Sequence, residues 1–155
     1  APEDASFIKD IELALAAGFN GARLHQKAFE PRFLYYCDKM GYMVWGEYGN
    51  WGMDYSDMRV LPNMLMEWLE RLNRDYNHPS VIMYSIGNEI SEPATEKGVS
   101  LAKEMVDLLH QIDPSRAATG GINLMIITRS AKGNAIYKED GSGRSDEKKQ
   151  RIPPA

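Results

Sequence analysis

Hydrophobic residues recur along this chain at helical spacing and at strand spacing in turn. The clearest helical stretch runs from Leu61 to Asp75, where apolar side chains fall at i, i+3, i+4, i+7 and i+11. The same reasoning predicts three further helices, Asp4 to Ala17, Glu30 to Met40 and Thr95 to Ile112. Shorter apolar runs predict four strands, at Phe19–Leu24, Tyr42–Trp45, Val81–Ile86 and Ala117–Ile122. This alternation predicts an α/β fold in which helices connect parallel strands.

The third predicted strand is followed by the most informative residues. Its apolar residues, from Val81 to Ile86, predict a strand that is buried on both faces. Asn88 and Glu89 then fall at the carboxyl end of that strand, where α/β folds place their chemistry. A glutamate there suits a general acid/base, and the neighbouring amide suits a substrate hydroxyl. The alternative is that Glu89 caps the next helix or lies in solvent.

Two other predicted strands also end in polar or aromatic residues. The first is followed by a group that includes Arg23, His25 and Gln26, and the second by Glu47, Tyr48, Asn50 and Trp51. Carboxyl ends of parallel strands meet at one edge, so these groups predict a shared cleft. Amides and charges bind hydroxyl groups and aromatic faces stack on sugar rings, so the mixture suits a carbohydrate. Arg23 is expected to pair with Glu47 or Glu89; Trp51 is either a sugar platform or a solvent-exposed loop residue.

Composition excludes several classes of partner. The chain has 155 residues and a net charge of −4, which gives no support for nucleic-acid binding. No apolar run approaches the roughly 18–20 residues that a membrane span needs. No second His or Cys lies at ligand spacing from His25, so neither a metal nor a cofactor is expected. The single Cys37, within a helical pattern, is expected to be a buried small hydrophobe.

The chain divides into two regions of different composition. Residues 1–128 carry the βα alternation and are predicted to form part of a barrel catalytic domain. Residues 129–155 are rich in charged residues, Gly and Ser, which predicts a flexible tail or the start of a barrel loop.

Several segments resemble one enzyme family. Residues 74–89 read Arg-Asp-Tyr-Asn-His-Pro-Ser, then the hydrophobic strand, then Gly-Asn-Glu. This resembles the acid/base signature of glycoside hydrolase family 2, the β-galactosidase, β-glucuronidase and β-mannosidase group. Residues 18–25 resemble the family's second barrel strand, residues 36–47 its next helix and third strand, and residues 113–120 the approach to its fifth strand. The resemblance covers about residues 4 to 125.

The resemblance implies a (β/α)8 barrel, of which this chain carries about the second to the fifth strand. It implies hydrolysis of O-glycosyl bonds with retention of configuration, through a covalent glycosyl-enzyme. Glu89 would be the acid/base and Asn88 would bind the sugar 2-hydroxyl. Arg23 and His25 would line the pocket, and Glu47 would be a binding or supporting carboxylate. A β-galactoside is the expected substrate because many family members prefer it.

The family places its nucleophile, a glutamate, on the seventh strand, and no strand is predicted here after Ile127. We therefore expect a central fragment that is inactive alone and that requires the rest of its barrel or self-associates. Two alternatives remain open. One is another barrel glycosidase of the cellulase or mannanase type, although the Asn-His-Pro-Ser turn favours family 2. The other is a non-catalytic fragment that binds carbohydrate or complements a partner chain.

Overall fold

Helices and strands alternate throughout the part of the chain that the structure describes. The structure is a computed structural model that describes residues 3–90 and 92–122. The elements are α1 (Asp4–Ala16), β1 (Gly21–Leu24), α2 (Pro31–Met40), β2 (Met43–Glu47), α3 (Leu61–Asp75), β3 (Val81–Ser85), α4 (Glu96–Ile112) and β4 (Ala117–Thr119). A short 3₁₀ turn, Glu92–Ala94, precedes α4. The predicted third helix is confirmed at both ends, and the other elements differ from prediction at their boundaries.

The four strands form one parallel sheet in the order β1-β2-β3-β4. Each strand therefore pairs with the strand that follows it in the chain. A (β/α)8 barrel has this sequential order, whereas a doubly wound sheet reverses its order at a switch point. The α/β prediction with parallel strands is confirmed, and the strand order is that of an arc of a barrel.

The first strand begins later than predicted because Phe19, its predicted first residue, is hydrogen-bonded to the end of α1. Gly18 adopts a left-handed conformation with φ of 90°. Its amide donates to the carbonyl of Leu15, and the amide of Phe19 donates to that of Ala14. These two bonds form a Schellman motif, so Phe19 belongs to the helix end and β1 begins at Gly21.

The prediction that β3 is buried on both faces is wrong at Ile82, which is 47% exposed. Val44 of β2 pairs with Val81, but the next residue, Trp45, pairs with Met83. The register thus skips Ile82, which has no partner residue in β2. Such an irregularity turns a side chain away from the position that strict alternation gives it.

The core lies between the sheet and the helices, and Trp68 of α3 is at its centre. Its ring packs edge-on against Tyr48 and Tyr84, each with ring centroids 5.6 Å away. Its indole nitrogen donates a 3.0 Å hydrogen bond to the carbonyl of Met105 in α4. Truncating such a buried side chain to alanine costs about 3–5 kcal/mol. Trp68 is one of the apolar residues of the predicted helical stripe, and it is fully buried.

Three other predictions concern single features of the chain. Cys37 is fully buried, as predicted, and burial raises the pKa of its thiol to about 12. No helix among the described residues is long and apolar enough to cross a membrane. The predicted tail, residues 129–155, lies outside the described residues and stays a prediction.

Candidate active site

The carboxyl ends of β1, β2 and β3 bring most of the predicted site residues to one edge of the sheet. Leu24 at the end of β1 pairs with Gly46, and Glu47 at the end of β2 pairs with Ser85. His25 therefore follows β1 next to Glu47, and the segment containing Asn88 and Glu89 follows β3, which is the other neighbour of β2. A parallel sheet with sequential order puts these groups together without any long-range loop.

Glu47 is a buried carboxylate that pairs with two basic side chains. Its Oε1 lies 2.6 Å from Nδ1 of His25, and its Oε2 lies 3.3 Å from Nε of Arg23. Glu47 is only 1% exposed, whereas both partners are close to half-exposed. The guanidinium of Arg23 also lies 5.6 Å from the ring centre of Trp45, which is partly buried. The expected pairing of Arg23 with a carboxylate is met by Glu47.

Arg71 of α3 supports this site from behind, and sequence reasoning missed it. Its Nη1 donates to the main-chain carbonyl of Glu47, and its Nε lies 3.6 Å from Asp75. Burial lowers the pKa of Arg71, and the charge of Asp75 offsets part of that effect. The signal was present in the sequence, because Arg71 lies three residues after Trp68 on the face that carries the apolar stripe.

Two amide side chains connect the strand ends. Oε1 of Gln26 accepts from the main-chain amides of Asn50 and Trp51, at 3.1 and 3.2 Å. The Asn50 side chain in turn donates to the carbonyl of Asn88, at 3.1 Å, and accepts from its amide, at 2.7 Å. Both of these bonds use main-chain atoms of Asn88, so its buried carboxamide is not consumed by them.

Glu89 differs in backbone conformation from the residues around it. Its side chain is exposed, and its φ of 51° is left-handed, unlike that of any other non-glycine residue in the described ranges. Left-handed backbone in a residue with a side chain costs roughly 1 kcal/mol or more and is found preferentially at functional sites. The conformation presents a carboxylate at the strand end, beside a buried amide.

Two predicted aromatic positions have different environments. Trp51 is 67% exposed in the loop after β2 and is available to stack on a ligand. Tyr48 is buried, packs on Trp68 and donates a 3.0 Å hydrogen bond to Glu67. Tyr48 therefore belongs to the helix side of the sheet and not to the cleft.

The Asn-His-Pro-Ser turn lies at the opposite end of β3. Nδ1 of His78 lies 2.6 Å from Asp38, and the amide of Ser80 donates to the same carboxylate. These contacts fix the turn that leads into the strand, so His78 has a structural role. Among the described residues, no group of three His, Cys, Asp or Glu side chains is placed to hold a metal ion.

Comparisons with known proteins first define the class. The fold has a TM-score of 0.71 to a glycosyl hydrolase family 2 member from Bacteroides cellulosilyticus, at 32% identity, covering 83% of this chain and 17% of that one. A β-galactosidase of Bacteroides ovatus is 28% identical over 151 residues, with 74% of this chain and 18% of that protein covered. A β-glucuronidase of Chlorocebus aethiops is 30% identical over 115 residues, with 72% and 18% covered. These likenesses indicate an α/β barrel glycosidase domain.

The sequence model of the family described as "Glycosyl hydrolases family 2, TIM barrel domain" matches residues 3–131. The chain therefore belongs to glycosyl hydrolase family 2, and the suspected resemblance is confirmed. It spans between 9% and 20% of the length of the curated relatives compared with it. The matched region contains every predicted site residue.

Proposed function

We propose that this chain carries the acid/base half of the active site of a retaining β-glycosidase. The observation that carries the proposal is the position of Glu89, an exposed carboxylate directly after β3 and beside the buried Asn88. Membership of a family whose named relatives include β-galactosidases and β-glucuronidases supports it.

In this proposal Glu89 protonates the glycosidic oxygen while a second carboxylate attacks the anomeric carbon. The bond to the leaving group breaks and a covalent glycosyl-enzyme forms. Glu89, now ionised, then takes a proton from water as the water displaces the enzyme carboxylate. The nucleophile has to approach Glu89 to ~5–5.5 Å and would come from a later strand of the barrel.

The remaining residues bind the sugar. Asn88 would hold the 2-hydroxyl, an interaction that gains strength in the transition state. The paired Glu47 and His25 would accept and donate hydrogen bonds to further hydroxyl groups, and Trp51 would stack on the ring. The charge of Arg23 is compensated by Glu47 at 3.3 Å, which favours a neutral sugar over a uronic acid. Among neutral sugars we propose a β-galactoside as the substrate, because several named relatives are β-galactosidases.

The test is Glu89→Gln in the full-length enzyme that contains this segment. We expect kcat/KM to fall by about 10²-fold or more for alkyl glycosides, whose leaving groups need protonation. Activated aryl glycosides, which leave without a proton, should keep most of their kcat/KM. Equal losses on both substrates would sink the acid/base assignment. Comparing the kcat/KM of the wild type on β-galactosides and on β-glucuronides tests the proposed sugar specificity.

We also propose that this segment requires the rest of its barrel or self-associates. The outer strands β1 and β4 each have one neighbour in the described sheet. Met43 and Ile82 on the strands are 38% and 47% exposed, although both are apolar. Open strand edges and exposed apolar strand residues promote association. A monodisperse monomer of the isolated chain in size exclusion, with a cooperative calorimetric transition, would contradict this proposal.

A further inference from the structure

The Asn50 side chain grips the main chain of Asn88 at two points. Its Oδ1 accepts from the amide of the peptide that precedes Asn88, and its Nδ2 donates to the carbonyl of the peptide that follows. The second of these peptides is the one that leads into Glu89. Because both flanking peptide planes are held, the backbone torsions of Asn88 are fixed, and so is the direction in which the chain enters Glu89.

The grip matters because Glu89 is held in an unfavourable conformation. Its φ of 51° persists only where neighbouring contacts determine the backbone on both sides. On the far side, the amide of Ile90 donates a 3.1 Å hydrogen bond to the carbonyl of Gly121 after β4. On the near side, the contact is the pair of bonds from Asn50. Glu89 thus lies between Asn88 and Ile90, whose main-chain atoms are both held by hydrogen bonds.

Asn50 is itself fixed in place by the neighbouring strand. The amides of Asn50 and Trp51 both donate to Oε1 of Gln26, which follows β1. Gly87 allows the close approach, since a Cβ atom there would lie 3.1 Å from Cγ of Asn50 and 2.8 Å from Ile90. The amides of Gln26 and Asn50 therefore connect all three strand ends to the backbone beside Glu89.

We propose that Asn50 is a positioning residue for the acid/base: it holds the left-handed backbone that aims the Glu89 carboxylate at the glycosidic oxygen. Gln26 acts one step further back, by fixing Asn50. The inference rests on the proposed function of Glu89 and adds a residue that does not touch the sugar. Displacing a reacting group by about 1 Å can cost on the order of 10²-fold in rate.

The test compares three variants of the full-length enzyme. Asn50→Ala removes both bonds, and Asn50→Asp keeps the size and the acceptor while it loses the donor to the Asn88 carbonyl. Asn73→Ala is the matched control, because Asn73 is exposed on α3, away from the strand ends. Each is assayed on an alkyl and an activated aryl glycoside of the sugar that the wild type hydrolyses.

We expect Asn50→Ala to lower kcat/KM by about 10²-fold on the alkyl glycoside and by no more than severalfold on the aryl glycoside. Asn50→Asp should show the same selectivity, and Asn73→Ala should match the wild type. A simple loss of folded protein would lower both substrates equally. The substrate ratio therefore separates positioning from folding, and Asn50→Asp, the near-isosteric change, decides if Asn50→Ala does not fold.

Glu89→Gln, measured alongside, separates the two possible failures. If it shows the leaving-group selectivity and neither Asn50 variant does, the positioning role is overturned and the proposed function stands. If Glu89→Gln loses equally on both substrates, the acid/base assignment fails and the role of Asn50 fails with it.

Discussion

Each end of the sheet contains a histidine paired with a carboxylate, and the two pairs differ in how far they are buried. At the carboxyl ends of the strands His25 lies 2.6 Å from Glu47, and at the amino end of β3 His78 lies 2.6 Å from Asp38. The His25 side chain is 48% exposed over a buried carboxylate, whereas His78 and Asp38 are both about four-fifths buried. The two pairs therefore have the same distance but different roles. The half-exposed His25 lies at the carboxyl edge of the sheet, and the buried His78 fixes a turn.

At the amino end of β3, Arg116 holds the backbone through several contacts. Arg116 donates through Nε to the carbonyl of Val81, at 2.5 Å, and through Nη2 to that of His78, at 2.8 Å. Its third contact is an ion pair with Asp113. These bonds hold the residues that lead into β3, so they act on the strand that delivers Glu89 at its other end.

The largest difference between the two ends is expected from Glu47→Gln. In the full-length enzyme, kcat/KM should fall by about 10²-fold, because the neutral amide no longer compensates Arg23 or orients His25. Asp38→Asn is the matched change at the amino end and should leave kcat/KM within about twofold. Steady-state kinetics on both variants make the measurement. A comparable loss of activity in Asp38→Asn would show that the two pairs do not differ in role.

For the free energy of unfolding, we expect the substitution at the amino end, Asp38→Asn, to have the larger effect. Asp38→Asn removes the charge that binds His78 and the amide of Ser80, so we expect a loss of about 2 kcal/mol at neutral pH. Burial raises the pKa of Asp38, but the bonds from Ser80 and His78 outweigh it, and the net pKa lies below its usual value. The carboxylate therefore stabilises the fold fully above the ordinary Asp pKa of about 3.9.

That stabilisation is lost as the pH falls through the lowered pKa of the folded state. The difference in melting temperature between wild type and Asp38→Asn should thus shrink as the pH falls from about 5 to about 3. Thermal melts across this range provide the check. A difference that grows between about pH 5 and about pH 3 would contradict the lowered pKa of Asp38.

Periodicity predicted the helices well because each carries a continuous apolar stripe. The predicted bounds of α3 are those observed, and the α4 residues Leu101, Met105 and Leu109 are buried. Strand boundaries were harder. The Schellman motif at Gly18 and the register shift at Ile82 depend on hydrogen bonds that a hydrophobic pattern does not contain.

Some features of the site could be predicted from the sequence, and others could not. Polar residues directly after strands gather at one edge by topology alone, so the sequence predicted that Arg23, His25 and Glu47 would share that edge, but it left open whether Arg23 pairs with Glu47 or Glu89. The support from Arg71 and the grip of Asn50 on Asn88 come from a helix and a loop. Their side-chain directions depend on packing that the sequence does not state.

Backbone strain provides the smallest and most selective comparison. Glu89 has φ of 51°, whereas the turn at the amino end of β3 has no left-handed residue among its described positions. Glu89→Gly should therefore be more stable than Glu89→Ala, by roughly 0.5–1 kcal/mol, since glycine adopts this region without a Cβ clash. Both variants should lose the acid/base and fail on alkyl glycosides.

The same pair of substitutions on α3 gives the control. At Asn73 the backbone is helical, so Asn73→Ala should be more stable than Asn73→Gly, by about 1 kcal/mol. Melting temperatures of the four variants decide the matter. If alanine is preferred at both positions, then Glu89 is not under left-handed strain in solution, and Asn50 has no strained conformation to hold. A reversal between the two sites would place the strain at the carboxyl end of the sheet, where Glu89 lies.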